Sequence, residues 1–540
     1  MITTLNIAGT GPFHVSINRS DLIKLMLGII LFVAVICPLG TMLMNMAGSD
    51  ISSVIRLPRF REALLNSIIA ASTGTIISIV LAWCFALSVV RSGLKFREVF
   101  SIFVTLPMLI PSISHGMGLI LLLGANGILT RFFGLSGTIY GFQGIVLGSV
   151  FYAFPVAFLM LADILKYEDG SPYEAAAVLG IPRQNQFFSI TFPYLRKPLI
   201  SVVFAVFTLI ITDYGVPLTI GGRFITLPVL MYQEVIGLLN FSRGSVIGSF
   251  LLIPALVAFV FDLLNSDRAN QNFVIQEKPK PVSRLRDTFA TVYVILICLI
   301  IALPIVVFAF LSIINSYPDD MTLSFQNITR TMNLGVGRYL KNSLIIAACV
   351  SLFGTAFSWF VAYFTSRTPG KPSRLLHLIS ITSLAIPGIV LGLSYVLFFK
   401  GTFIYGGLAM LILVNIIHFM ASPYLMAYNS LGKLNINLED VGRTLGVGRF
   451  RIIRDVLIPQ TKLTILEMLS YFFVNSMMTI SAVSFLSTVR NQPVSLMINV
   501  FEFQLFLEGA AFVSILILFS NVTVKCAVYL LTKIAKQKGG

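Results

Sequence analysis

Long apolar runs separated by short polar stretches set the rhythm of the chain. In the first half they are roughly Leu22–Met46, Leu64–Val90, Val99–Leu123, Gly144–Leu165, Leu199–Leu218 and Val246–Leu264. In the second they are roughly Phe289–Leu311, Leu340–Phe364, Leu376–Phe399, Leu408–Tyr428, Leu463–Phe485 and Ala510–Leu531. Each reaches about 20 residues, the length a helix needs to cross the hydrocarbon core of a bilayer. The pattern predicts an all-α integral membrane protein with twelve transmembrane helices. Lys, Arg, Pro, Asn and Gln gather between Asn265 and Asp287, a composition expected of a solvated linker.

The two halves repeat each other. Asn66-Ser67 and Arg91 recur as Asn342-Ser343 and Arg367 at an offset of 276 residues, as Pro111 and Gly116 recur as Pro387 and Gly392. Tyr140-Gly141 recurs as Tyr405-Gly406 at an offset of 265. An even number of spans per half leaves both halves in one orientation, so the repeat is parallel about an axis along the membrane normal. The expected organisation is a first repeat over 1–266, a cytoplasmic linker over 267–286 and a second repeat over 287–540. A transport path is expected between the halves.

Composition agrees with a lipid environment. The chain is 56% hydrophobic and 11% charged with mean hydropathy +0.91, where soluble domains carry about 25% charged residues. A soluble globule of this size could not hide so many apolar runs. The net charge of +16 does not indicate nucleic acid, because the basic residues cluster in alternate loops. Arg91, Lys95 and Arg97, then Arg367, Lys371 and Arg374, fall on the side that also holds both termini. The positive-inside rule makes that side cytoplasmic. The cysteines lie in or beside apolar runs without a CxxC pair, which favours small buried hydrophobes over a disulfide framework or a metal site.

The loop between the fourth and fifth spans, about 166–197, carries Glu174-Ala175-Ala176, three residues, Gly180, nine residues, Ile190, one residue, Phe192 and Pro193. Its counterpart, about 430–462, carries Asp440-Val441-Gly442, then Gly446, Val456, Ile458 and Pro459. Gly to Pro spans thirteen residues in both. Ala and Leu favour a short helix, small residues let it seat close to another protein, and Gly180 can take the positive φ that ends a helix. This pattern resembles the EAA loop of ABC importer permeases, with Phe192 where the family usually has Leu and Asp-Val-Gly for Glu-Ala-Ala in the second loop.

The resemblance covers nearly the whole chain. It implies two fused permease domains of the type I importer (MetI-like) fold in a bacterial inner membrane. It also implies two ATP-binding cassette ATPase subunits docked on the loops and an extracytoplasmic substrate-binding protein outside. The chain has no GxxxxGK[ST] P-loop of its own. It is therefore expected to be a transport subunit, not an enzyme, with no bound cofactor, and ATP and magnesium belong to the partner.

Charges within spans are costly and often functional. Asp213 and Tyr214 lie in the stretch Thr212–Pro217, whose Gly and Pro suggest a broken or kinked helix able to expose backbone groups to a ligand, and Glu467 lies in the second half's fifth span. Pathway lining and an internal hydrogen bond are both open for Asp213 and Glu467. His115 and His418 read as packing residues. The stretch Thr212–Gly222, with Tyr232–Gly237 and Asn240-Phe241, resembles fused permeases for 2-aminoethylphosphonate within the wider ferric-iron permease family. The expected substrate is 2-aminoethylphosphonate or a related phosphonate, with ferric iron or thiamine as alternatives. An ion-coupled secondary transporter is the alternative class. It would need poised ionisable groups, and Asp213 and Glu467 do not occupy equivalent repeat positions.

Overall fold

The computed structural model describes residues 19–48, 51–134, 138–265 and 284–537. Among the described residues, nine helices are long and apolar enough to cross a membrane, and two bent pairs raise the number to eleven. Most of the expected linker lies outside the described residues. Its last three residues already belong to the helix Arg284–Leu311.

Three kinds of expected span are broken, each for a local reason. The third span of the first half divides into Arg97–Phe103, a turn over Leu106–Leu109, and Ser112–Leu123. Its counterpart divides into Lys371–Ala385 and Gly388–Phe399, bent by 111°. A proline drives both breaks. Ile110 and Ile386 precede Pro111 and Pro387 and are extended, as steric contact with a following proline requires. A milder bend of 54° separates Leu408–Phe419 from Ala421–Gly432.

The fifth spans are shorter than hydropathy indicates. Leu199–Leu218 is not one helix: Phe192–Ile211 stops, and a separate helix runs over Gly215–Ile220. Asp213 causes the restart, because its carboxylate accepts hydrogen bonds from the N–H groups of Gly215 (3.3 Å) and Val216 (3.0 Å). This is a helix cap in the middle of an apolar run. Leu463–Phe485 likewise ends as a helix at Met478. The Thr479 carbonyl then accepts from the Ser495 hydroxyl at 2.7 Å instead of from a continuing helix. The 17-residue helix Lys462–Met478 is about 26 Å long at 1.5 Å per residue, the short limit for a crossing.

The repeat has a physical basis in the paired Asn-Ser residues. Asn66 donates to the Ile225 carbonyl at 3.0 Å, and the Leu227 N–H donates to Ser67 at 2.7 Å. Asn342 donates to the Arg490 carbonyl at 3.1 Å, and the Val494 N–H donates to Ser343 at 2.8 Å. Each pair pins the start of a short helix, Leu227–Tyr232 or Ser495–Phe503, to a long one.

The halves also exchange their first helices. Ser20–Gly48 packs on Lys371–Thr382 and Gly388–Phe399 of the other half. There Tyr395 donates to the Ala34 carbonyl at 2.7 Å, and Lys24 donates to the Thr368 carbonyl at 2.9 Å. Arg284–Leu311 packs in turn on Pro58–Arg91 and Ser112–Leu123. Tyr293 donates to the Leu81 carbonyl at 2.9 Å, and the Gly93 N–H donates to Asp287 at 3.2 Å. One feature was not legible in the hydropathy: an antiparallel hairpin of Ile314–Ser316 and Asp320–Leu323.

Candidate functional site

Two regions carry chemistry: the pair of loops on one side of the bundle and a cavity between the halves. In the first loop, Ser171–Val178 forms the short helix. Tyr173 and Ala176 are buried beneath it, while Glu174 and Ala175 face out beside Val178 and Leu179. The helix ends on Gly180 at φ +66°. The Gly180 N–H bonds the Ala177 carbonyl at 3.1 Å and the Ile181 N–H bonds the Ala176 carbonyl at 2.9 Å. That crossed pair is the left-handed glycine stop of helices.

The second loop repeats the geometry over Leu438–Thr444. Gly446 has φ +69°, its N–H bonds the Arg443 carbonyl at 3.1 Å, and the Val447 N–H bonds the Gly442 carbonyl at 2.8 Å. Asp440 is exposed, paired with Arg443 at 3.2 Å, an arrangement of little energetic weight. Each loop returns through a short arm, Arg183–Gln186 with Phe187–Thr191 or Arg449–Ile452 with Ile453–Leu457. Ile190 and Val456 are half-buried in those arms. Pro193 and Pro459 occupy first turns of the helices that follow, where the missing N–H is harmless.

At the third position the change from Ala176 to Gly442 goes with a steric difference. Gly442 stands at the repeat position of Ala176, and Ile452 at that of Gln186. A Cβ on Gly442 would fall 2.2 Å from Ile452 Cδ1. Gln186 instead turns its amide to the Ile181 carbonyl at 2.8 Å.

The cavity holds about 450 Å³ and lies between the two halves. Its walls are the fifth spans of both halves, from Ser201 to Asp213 and from Tyr471 to Ser481. The proline breaks at Ile110-Pro111-Ser112 and Ile386-Pro387-Gly388 close the end away from the loops. Asp213 lines the cavity and is also the helix cap described above. Tyr214 does not line it. Its ring is buried behind the wall, with its hydroxyl 2.6 Å from that of Ser484 in the other half. It stacks on Tyr232 at 5.4 Å, which stacks on Phe485 at 6.1 Å. Glu467 is exposed and is not part of the wall.

Sequence reasoning missed most of the wall. His418 belongs to it although it reads as a packing residue, and its Nδ1 has no hydrogen-bond partner among the described residues. His115 is buried outside the cavity, with its ring 5.9 Å from that of Tyr152. Tyr152, Ser383, Tyr471 and Asn475 also line the space. Among the described residues the wall contains neither Lys nor Arg. The only available signal was repeat position, since Tyr152 and His418 stand 266 residues apart, the offset that relates the loops.

The family model for the binding-protein-dependent transport system inner membrane component matches residues 74–271 and again residues 354–535. The chain belongs to this family. It is a fused ABC importer permease, a multi-pass membrane protein with two such domains in one polypeptide. It is similar to the ferric transport system permease protein FbpB of Actinobacillus pleuropneumoniae, 27% identical over 450 residues, covering 79% of this chain and 65% of that protein. It is also similar to the thiamine transport system permease protein ThiP of Brucella abortus, 26% identical over 210 residues, covering 37% and 39%. The molybdenum transport system permease protein ModB of Azotobacter vinelandii is 27% identical over 198 residues, covering 34% of this chain and 88% of that protein. The match to the ferric permease runs across both domains, whereas the molybdenum permease corresponds to a single one.

Proposed function

We propose that this permease imports ferric iron, received from an extracytoplasmic binding protein and driven by two separate ATPase subunits, one on each loop. Both loops and both termini lie in the cytoplasm in this reading. The cavity is the passage, and Asp213, His418 and the flanking hydroxyls are its polar lining.

The observation that carries the substrate class is the wall itself. Among the described residues it offers a carboxylate, an imidazole, phenols and hydroxyls, and no cationic side chain. Oxygen and imidazole groups suit a hard or borderline metal cation. A phosphonate is an anion and is best held by Arg or Lys, which this wall lacks. The extended similarity to a ferric permease points the same way. The ferric alternative therefore replaces the phosphonate expectation.

The Tyr214–Ser484 bond and the Tyr214–Tyr232–Phe485 stack join the halves on the side away from the loops. In this conformation they shut the passage toward the binding protein. Docking of a loaded binding protein and ATP-driven approach of the two loops would part them.

Reconstitution in proteoliposomes with the partner ATPase and binding protein tests the proposal. Labelled ferric iron, thiamine and 2-aminoethylphosphonate are offered in parallel, with and without ATP. ATP-dependent iron uptake is expected. Phosphonate uptake without iron uptake would overturn the substrate. Uptake driven by an ion gradient alone would overturn the energy source.

A further inference from the structure

Two arginines at equivalent repeat positions end the second helix of each half on the loop side. Arg91 closes Pro58–Arg91, and Arg367 closes Thr355–Arg367. As surface charges they would only satisfy the positive-inside rule. Neither is solvated in that way.

Arg91 donates to the Leu165 carbonyl at 3.2 Å and pairs with Glu168, which is buried. Glu168 in turn accepts from the hydroxyl of Tyr173. That hydroxyl lies 2.6 Å from the hydroxyl of Thr191. The chain of contacts therefore runs from the end of a long helix, through the loop helix Ser171–Val178, into the return arm beside Pro193. Burial, and then the Glu168 carboxylate, push the Tyr173 phenol well above its ordinary pKa.

Arg367 reaches its loop without an intermediary. Its Nε donates to Glu439 at 2.8 Å, and Nη2 donates to the other carboxylate oxygen. The same guanidinium donates to the carbonyls of Leu434 (2.8 Å) and Asn435 (2.7 Å). Glu439 lies inside the loop helix Leu438–Thr444, next to Asp440. It stands 266 residues after Tyr173, at the same repeat position. The second half has thus placed the carboxylate where the first half has the phenol, and removed one link.

We propose that Arg91 and Arg367 are the positioning residues that tie each coupling loop to its own half, indirectly in the first and directly in the second. The inference rests on the loops being the ATPase docking sites. A push on a loop helix is then carried to the long helix that ends in the arginine. Without the tie, the loop helix would remain on the surface but move independently of the bundle.

The test uses the full chain in nanodiscs with its partner ATPase. Two quantities are read: amide exchange over 171–178 and 438–444, and permease-stimulated hydrolysis of magnesium-ATP. Tyr173→Phe removes one hydroxyl and keeps the ring. It should speed exchange over 171–178 by about fivefold, leave 438–444 unchanged and lower stimulated hydrolysis. Arg367→Lys keeps the charge but loses the planar fork, and should affect 438–444 instead. If Arg367→Lys does not fold, Tyr173→Phe alone decides. Wild-type exchange in Tyr173→Phe overturns the tie. Faster exchange with unaltered hydrolysis overturns its role in coupling. If the wild-type chain itself neither binds nor stimulates the ATPase, the docking reading falls and takes this inference with it.

Discussion

The first loop has Ala176 and Gln186 where the second has Gly442 and Ile452, the glycine facing the isoleucine. The backbone is the same in both: a glycine at φ near +70°, a crossed pair of hydrogen bonds, and a proline thirteen residues further on. What differs is where volume and charge are kept. The second loop has moved a methyl's worth of space from the helix to the arm, and a carboxylate from the base of the loop into the helix. The family pattern is thus a statement about backbone and packing, and its letters can drift when a neighbour compensates.

The sharpest way to break this comparison is Gly442→Ala. The new methyl collides with Ile452 at 2.2 Å, and overpacking of this kind costs roughly 1–3 kcal/mol. Permease-stimulated ATPase activity should fall markedly. Gly442→Ala with Ile452→Gln recreates the first loop's pairing and should recover most of it. A double variant as impaired as the single would refute the compensation.

Next in size is valine at the helix stops. Forcing a side chain into the left-handed region costs roughly 1–2 kcal/mol. Gly180→Val and Gly446→Val should therefore cost transport about equally, measured as initial uptake rate. A large effect in one and none in the other would show that the loops are not geometric equivalents.

The third test addresses the opposite end of the passage, where the halves are not alike: Ile480 stands at the repeat position of Tyr214. Tyr214→Phe removes only the bond to Ser484, worth about 1 kcal/mol. Cysteine pairs placed across the halves should crosslink less readily on that side, and Ser484→Ala should match the effect. If Ser484→Ala changes crosslinking in wild type and equally in Tyr214→Phe, the bond does not hold the closure.

The smallest effect concerns two of the ties made by the exchanged helices. Asp287 holds the Gly93 N–H, whereas Lys24 holds the Thr368 carbonyl. The Gly93 N–H, and then Arg286, keep the Asp287 carboxyl below the usual carboxylate range. Its stabilising contribution is present above the unfolded-state value of about 3.9 and is lost as pH falls through the lowered folded value. Acidification should loosen 92–95, seen as faster amide exchange, and spare 368–370, since an ammonium stays charged. Asp287→Asn should reproduce the loosening at neutral pH.

Much of this architecture is legible in the chain because lipid imposes a crude rule: apolar runs span, and basic loops stay on one side. The repeat is legible through Asn66-Ser67 and Asn342-Ser343, whose bonds need those side chains. The break in the first half's fifth span is legible too, since Gly215 and Pro217 beside Asp213 mark a broken helix; the end of its counterpart at Met478 is not, because Thr479-Ile480-Ser481 carries no such signal. Asp213 is visible, but its role as a cap depends on which N–H groups lie beside it. The cavity wall is drawn from several separate segments, so no short window of sequence contains it. The arginine ties were hidden for another reason: Glu168 and Glu439 do not align, and only their common partner does.

The exchange of first helices bears on how the two loops came to differ. In a dimer of identical permeases, one gene writes both loops, and every substitution appears twice. With each half's first helix built into the other, neither half has its full set of walls by itself. Joining the two on one polypeptide guarantees that unlike halves always meet. Mutation in one loop is then inherited independently of the other. Gly442 with Ile452, and Glu439 in place of Tyr173, are what such freedom permits.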